Sequence, residues 1–408
     1  MPSSSNENSL AELVLRELVS AEDDLDQNNK NILEILLRDF LACSVSGRRK
    51  YAASQRDFSH GMTQNALRLG LFGSADDLDD VDWIGLTHIG AIIWSTAISS
   101  GIEHKVSIAK VLSAAARGYR TGSTIARLFG PTHRSKWHVT ATSGVFSSVS
   151  AAAFIFDLTP EQHLSAFKLC AINMGGLSQA GFERGGATQF NRGAAITLGL
   201  SSVEAALMGA AHVQDIWSPP RGLAENFAIA PEKLLPSTQK LAREFVVDGI
   251  SSTSLRLFPC TGFAHAAALA TFELRQELPG TVTSIEVELS QSIAPLMDGS
   301  RGGNWWNPRA AIAAIAHSKD PMVISEPEHL IEKTRLVFSN IPVGGARVTL
   351  ESEGVAKTIT HLKPPGANYS SPREIKWRNE KWSGMIGEGY KNLSATSSDL
   401  FDIAKLLL

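Results

Sequence analysis

Apolar residues recur at helical spacing through most of the first 270 positions. Leu10, Leu13, Val14 and Leu18 make one stripe over Leu10–Ser20. Asn31–Ser46 carries a similar stripe, which Gly47 is expected to break. Val106–Phe129 and Ala141–Phe156 are instead rich in Ala, Ser and Gly. Small side chains let helices approach closely, so these two segments predict a tightly packed bundle. Thr159-Pro160-Glu161-Gln162 is a helix start: Thr caps, Pro suits the first helical position and Gln reaches back. That helix is expected to run to about Asn173, and another to cover roughly Ala194–Ala211.

The period then changes. Val282–Leu289 ends in the alternating run S-I-E-V-E-L, a strand signature. Lys333–Phe338 and Arg347–Glu351 also read as strands. Val355–Leu362 is expected to pair with the latter through Ser352-Glu353-Gly354, and His329–Glu332 reads as the end of a short helix. Ser397–Leu408 returns to a helical pattern. At 408 residues the chain is long for one core. The expected organisation is mainly α: a helical domain over 1–268, completed by 386–408, and a smaller α/β domain over 269–385.

Composition narrows the function classes. With 43% hydrophobic and 19% charged residues the chain is globular, not disordered. Its 38 basic and 41 acidic residues leave a net charge of −3, which argues against a partner held by phosphate neutralisation, hence against nucleic acid. Met1–Ser9 lacks a signal-peptide pattern, and the apolar run Ala91–Ser99 is too short to span a bilayer. A soluble, cytoplasmic protein with no membrane partner is expected. Cys43, Cys170 and Cys260 lie far apart, without disulfide or zinc spacing. Three thiols can hold an iron–sulfur cluster, but the apolar settings of Cys43 and Cys170 favour core residues.

Four segments carry candidate chemistry. The first places five carboxylates within Asp76–Asp82, followed by Thr87-His88-Ile89-Gly90. From spacing alone a solvated capping loop is the commoner reading. A divalent-metal site is the second, though the Gly and bidentate Glu of a calcium loop are missing. The second, Lys136-Trp137-His138-Val139-Thr140, sets a His before a small-residue helix, where backbone donors and the dipole favour an anion. The third runs from Arg184 through Gly185-Gly186 to Gln189-Phe190-Asn191-Arg192-Gly193, and Arg suits carboxylate recognition. The fourth is Arg256-Leu257-Phe258-Pro259-Cys260 with His265, near the expected domain junction. Taken singly, each of these residues is more often structural.

Together, and in this order, the four segments resemble the MmgE/PrpD family, which includes 2-methylcitrate dehydratase, cis-aconitate decarboxylase and iminodisuccinate epimerase. The family's D-x-D-D element followed by His is matched by Asp77-Leu78-Asp79-Asp80 and His88. Its W/F-H-x-T/S segment is matched by Trp137-His138-Val139-Thr140, and its basic residue before a Gly/Ala-rich helix by Arg192-Gly193-Ala194-Ala195. Its K/R-x-F/Y-P-C element is matched by Arg256–Cys260, with His265 downstream. Many members carry Lys where Arg192 stands, and Arg301–Pro308 stands where members carry a K-F-S-x-x-Y-like segment.

The resemblance implies a large all-helical domain with a small α/β lid, a cofactor-free and metal-free active site between them, and a homodimer. It implies His88, His138 and Asp77 as catalytic residues. Arg192, Arg256, Asn191, Thr140, Cys260 and His265 follow as substrate-binding residues. If these residues share one cleft, Trp305 or Trp306 is expected near its mouth. The expected activity is dehydration of a small hydroxy-carboxylic acid by His-based acid–base catalysis. Epimerisation or decarboxylation of a small di- or tricarboxylate needs the same equipment, and a catalytically silent binding protein is the alternative from another class.

Overall fold

Ser9, Ser107, Thr159 and Thr238 each open a helix by accepting a hydrogen bond from a backbone N–H of its first turn. The computed structural model describes residues 8–21, 25–51, 61–181, 187–278, 280–297, 307–322, 325, 327–367, 369–387, 401, 402, 404 and 407. Arg184, Gly185, Gly186 and Arg301 to Trp306 lie outside the described residues, and so do the expectations attached to them.

The described residues divide into two compact units, one over 8–180 and 187–253 together with 401, 402, 404 and 407, the other over 181 and 254–387. The first contains α1 (Leu10–Ser20), α2 (Gln27–Tyr51), α3 (Met62–Ser74), the two-residue strand β1 (Val81–Asp82), α4 (Gly90–Glu103) and α5 (Ile108–Arg134). It continues with α6 (Val139–Ile155), α7 (Pro160–Ala171), α8 (Ala187–Leu207), the short α9 (Leu223–Asn226) and α10 (Gln239–Phe245). The chain leaves this unit at the two-residue strand β2 (Thr253–Ser254).

α6 is the centre of the first unit, packed by α4, α5, α7 and α8. Every residue of it except Phe154 is buried. A helix covered on all sides needs no apolar stripe, which is why its Ala, Ser and Gly positions show none. Its hydroxyls pair across the helices instead: Ser148 with Thr96 on α4 at 2.9 Å, Ser150 with Thr121 on α5 at 2.8 Å. α4, which contains the apolar run Ala91–Ser99, is buried from Gly90 to Gly101. Among the described residues no helix is long and apolar enough to cross a membrane.

Several helix limits differ from expectation. Gly47 does not break α2, which continues to Tyr51; a Cβ there would lie 2.0 Å from Phe72 O, so this glycine is where α3 approaches. α8 begins at Ala187, so Arg192 stands inside the helix and not before it. The capping box of α7 is present as the sequence predicts, with both reciprocal hydrogen bonds made.

The second unit holds α11 (His265–Glu277), β3 (Val282–Ser290), α12 (Pro308–Ser318), α13 (Glu328–Ile331), β4 (Thr334–Ser339), β5 (Ala346–Ser352), β6 (Val355–His361) and α14 (Pro372–Ile386). The strands form one sheet in the order β4-β3-β5-β6, with β3 and β4 parallel and the other pairs antiparallel. The alternation read in β3 is the half-buried face: Ile285, Val287 and Leu289 are buried, while Glu286 and Glu288 pair outward with Arg335 and Arg347. β5 and β6 form the expected hairpin. Ser352 faces Val355, and Glu353 and Gly354 take the left-handed conformations (φ 52° and 78°) of a two-residue turn.

Candidate active site

The segment between α3 and α4 is built by its own aspartates. Asp82 folds the turn after β1: its carboxylate accepts from the Gly85 N–H at 2.7 Å, the Ile84 N–H at 3.2 Å and the Ser252 hydroxyl at 2.6 Å. Asp80 caps α4, accepting the Gly90 N–H at 3.1 Å on Oδ1 and the Tyr119 hydroxyl on Oδ2. Burial pushes the Asp80 carboxyl up to about 7, and the Tyr119 hydrogen bond opposes this. Asp77, in the left-handed region at φ 51°, turns towards α8. There Arg192 Nη2 stands 3.3 Å from its Oδ1 and Gln189 donates to Oδ2 at 3.2 Å. The Arg192 head group also faces Asp79, Nη1 to Oδ2 at 3.4 Å, and Lys50 pairs with Asp76. Asp79, Asp80 and Asp82 are buried. The solvated-loop reading of this cluster is therefore corrected: carboxylates that repel along the chain are each met by a cation or by donors from elsewhere in the fold. Among the described residues no group of three or more His, Cys, Asp or Glu is placed to hold a metal ion.

Both expected histidines stand at the start of α6. The His88 backbone N–H donates to the Thr140 hydroxyl at 3.1 Å, in the first turn of α6, and His138 is the residue that caps α6. The His88 ring donates from Nδ1 to the Asp80 carbonyl at 2.9 Å. A carbonyl only accepts, so the ring proton sits on Nδ1 and a neutral ring carries its lone pair on Nε2. His138 has the opposite arrangement. The Asn191 amide donates to its Nδ1 at 3.4 Å, which leaves the proton of the neutral ring on Nε2. The His138 backbone N–H donates to Gly176 O at 2.9 Å, fixing the approach to the helix. Burial holds the His138 imidazole down to about 3; the Arg192 charge adds to this and Asp79 opposes it.

Asp77, His88, His138, Thr140, Asn191 and Arg192 are thus brought to one loop and the starts of α6 and α8. Arg256, Cys260 and His265 fall in the second unit, each almost fully buried. There burial pushes the Cys260 thiol up to about 12 and the His265 imidazole down to about 3, and His265 Nε2 donates to Phe258 O at 3.2 Å. A pocket of about 610 Å³ opens elsewhere in the first unit, among Ala171, Asp215, Ser218, Arg221, Asn226 and Phe227; none of the expected site residues lines it. Asp80, Gln189 and Tyr119 carry contacts at the site that no role was expected for. Tyr119 had a legible signal: a phenol amid small residues of a buried helix needs a partner for its hydroxyl.

Comparison with known proteins adds one match. Residues 44–233 match the model described as the MmgE/PrpD N-terminal domain, a span containing every residue of this loop cluster. No curated protein matches the chain.

Proposed function

Because the chain belongs to the MmgE/PrpD family, we propose that it is a lyase that removes water from a small hydroxy-carboxylic acid, with His88 as base and His138 as acid. The observation that carries this reading is the complementary pair of imidazoles. One carries its lone pair at Nε2, the other its N–H at Nε2, and both stand at the start of α6, His88 held through Thr140 and Asp80 and His138 through Asn191. In the reaction His88 Nε2 takes the carbon-bound proton next to the carboxylate. His138 Nε2–H donates to the departing hydroxyl, which leaves as water, and proton exchange with solvent resets both rings. A neutral imidazole held far below its ordinary pKa is a hydrogen-bond donor to developing negative charge, not a competing base. The N-terminal end of α6, a helix of 17 residues, favours the same charge.

Arg192 is the candidate carboxylate clamp from the sequence. Buried between Asp77 and Asp79, it acts in this reading by holding Asp77 in place and keeping His138 neutral. Thr140 holds the His88 main chain, the Asp80 carbonyl and Asn191 set the two rings, and Asp77 orients the leaving water.

The test is turnover and solvent-deuterium exchange, followed by proton NMR, over a panel of hydroxylated di- and tricarboxylates. Water loss with formation of an alkene is the expected outcome, and His88→Asn and His138→Asn should each lower it by about 10²–10⁴-fold with the far-ultraviolet spectrum unchanged. Exchange without net product would reassign the reaction to epimerisation, and released carbon dioxide to decarboxylation. Near-native turnover in either variant would remove that histidine from the mechanism.

A further inference from the structure

The loop that carries His88 is held at Asp80, and Asp80 is held in turn from the two helices behind it. Tyr119, fully buried on α5, donates its hydroxyl hydrogen to Asp80 Oδ2. Trp94, fully buried on α4, donates its indole N–H to the Tyr119 oxygen at 3.0 Å. An indole nitrogen only donates. The phenol oxygen therefore receives that hydrogen and directs its own at the carboxyl group. Two donors converge there, Tyr119 at Oδ2 and the Gly90 N–H at Oδ1, an arrangement that favours the ionised carboxylate against its burial. The main-chain carbonyl of the same residue is the acceptor for His88 Nδ1 at 2.9 Å. Anything that releases the Asp80 side chain also frees the peptide that selects the position of the ring proton.

We propose that Tyr119, acting through Asp80, is a positioning residue that fixes His88 as its Nδ1–H tautomer, the form that a base working at Nε2 requires. This rests on the reading of His88 as the base. The direction of the relay runs from Trp94 to Tyr119 to Asp80, and none of its hydrogen bonds reaches the reacting atoms. Its effect is conformational: it selects which nitrogen of a neutral ring is basic, a choice that second contacts of a histidine commonly make.

The experiment reads the tautomer itself and needs no substrate. Protein labelled with ¹⁵N in its histidine rings is observed by long-range proton–nitrogen correlation, with His88→Asn identifying the His88 signals. The wild-type ring is expected in the single Nδ1–H form. Tyr119→Phe keeps the ring that packs edge-on against Trp94 and removes only the hydroxyl; it should turn the His88 signals into an average of both tautomers. Asp80→Asn offers one oxygen and an NH₂ group where two donors converge, and should give the same averaging. It serves as the second variant if Tyr119→Phe loses its native spectrum. A wild-type ring in the Nε2–H form, or an unaltered single tautomer in whichever variant folds, would overturn the proposal. Turnover separates this from the catalytic reading: if His88→Asn abolishes activity while Tyr119→Phe leaves the tautomer untouched, His88 remains the base and only the relay is wrong.

Discussion

Arg192 shows how little a residue's type says about its task. An arginine in this sequence pattern suggests a hand for a substrate carboxylate, yet this guanidinium is 2% exposed and already faces Asp77 and Asp79. Removing it leaves two carboxylates, one of them buried, with their main counter-charge gone. Deleting one partner of a buried ion pair costs about 3–5 kcal/mol, because the other charge stays behind in the protein interior. Arg192→Met is therefore expected to lower stability by about that amount in urea unfolding. A loss within the noise of the measurement would show that the aspartates find other partners. The Asp76–Asp82 run was legible in the sequence as unusual but not as buried, because a carboxylate's burial depends on donors that sequence spacing does not reveal.

At the scale of elements, the join between the Asp80 loop and α4 depends on a missing side chain. A Cβ on Gly90 would lie 2.2 Å from Asp80 Oδ2, inside the space the carboxyl group needs to accept the Gly90 N–H. Gly90→Ala should expel that carboxyl from the helix start and leave buried polar groups without partners, at about 1–3 kcal/mol. Thermal melting checks this, and a variant that melts with the wild type would mean that Asp80 does not cap α4. Glycines here misled local reading in the other direction too. Gly47 looks like a helix breaker, but α2 runs through it because α3 needs the space.

For the whole molecule, burial of neutral imidazoles makes acid the natural denaturant. Burial holds His133 down to about 4 and His138, His163 and His265 down to about 3, against an ordinary value of 6.5. The unfolded chain then binds more protons below pH 6.5 than the folded one, so this contribution is complete above about 6.5 and is lost as the pH falls towards 3–4. Asp80 works with the opposite sign. With its carboxyl raised to about 7, the folded state holds a proton that the unfolded state has released, so its contribution declines as the pH rises from the ordinary carboxylate range to about 7. Asp82, also raised by burial, acts the same way. Four imidazoles outweigh two carboxylates, so the melting temperature is expected to fall steadily between about pH 6.5 and 4. Melts across that range decide it; a flat or rising profile towards pH 4 would show that these rings are not held neutral.

Local chemistry determined what local chemistry can. The capping box at Thr159 and Gln162 starts α7, the S-I-E-V-E-L alternation makes β3 half-buried, and the turn at Glu353-Gly354 sets the hairpin, because each depends on residues within a few positions of one another. The order of four motifs was enough to reach the family. Tertiary structure alone decided the burial of Asp80, the start of α8 before Arg192, and the hydrogen-bond partners of Tyr119, His88 and His138. The deciding contacts span 39 residues from Asp80 to Tyr119, 52 from His88 to Thr140 and 115 from Asp77 to Arg192. Hydrogen-bond partners at such separations are chosen by how the helices pack, and the proton of a histidine follows the partner.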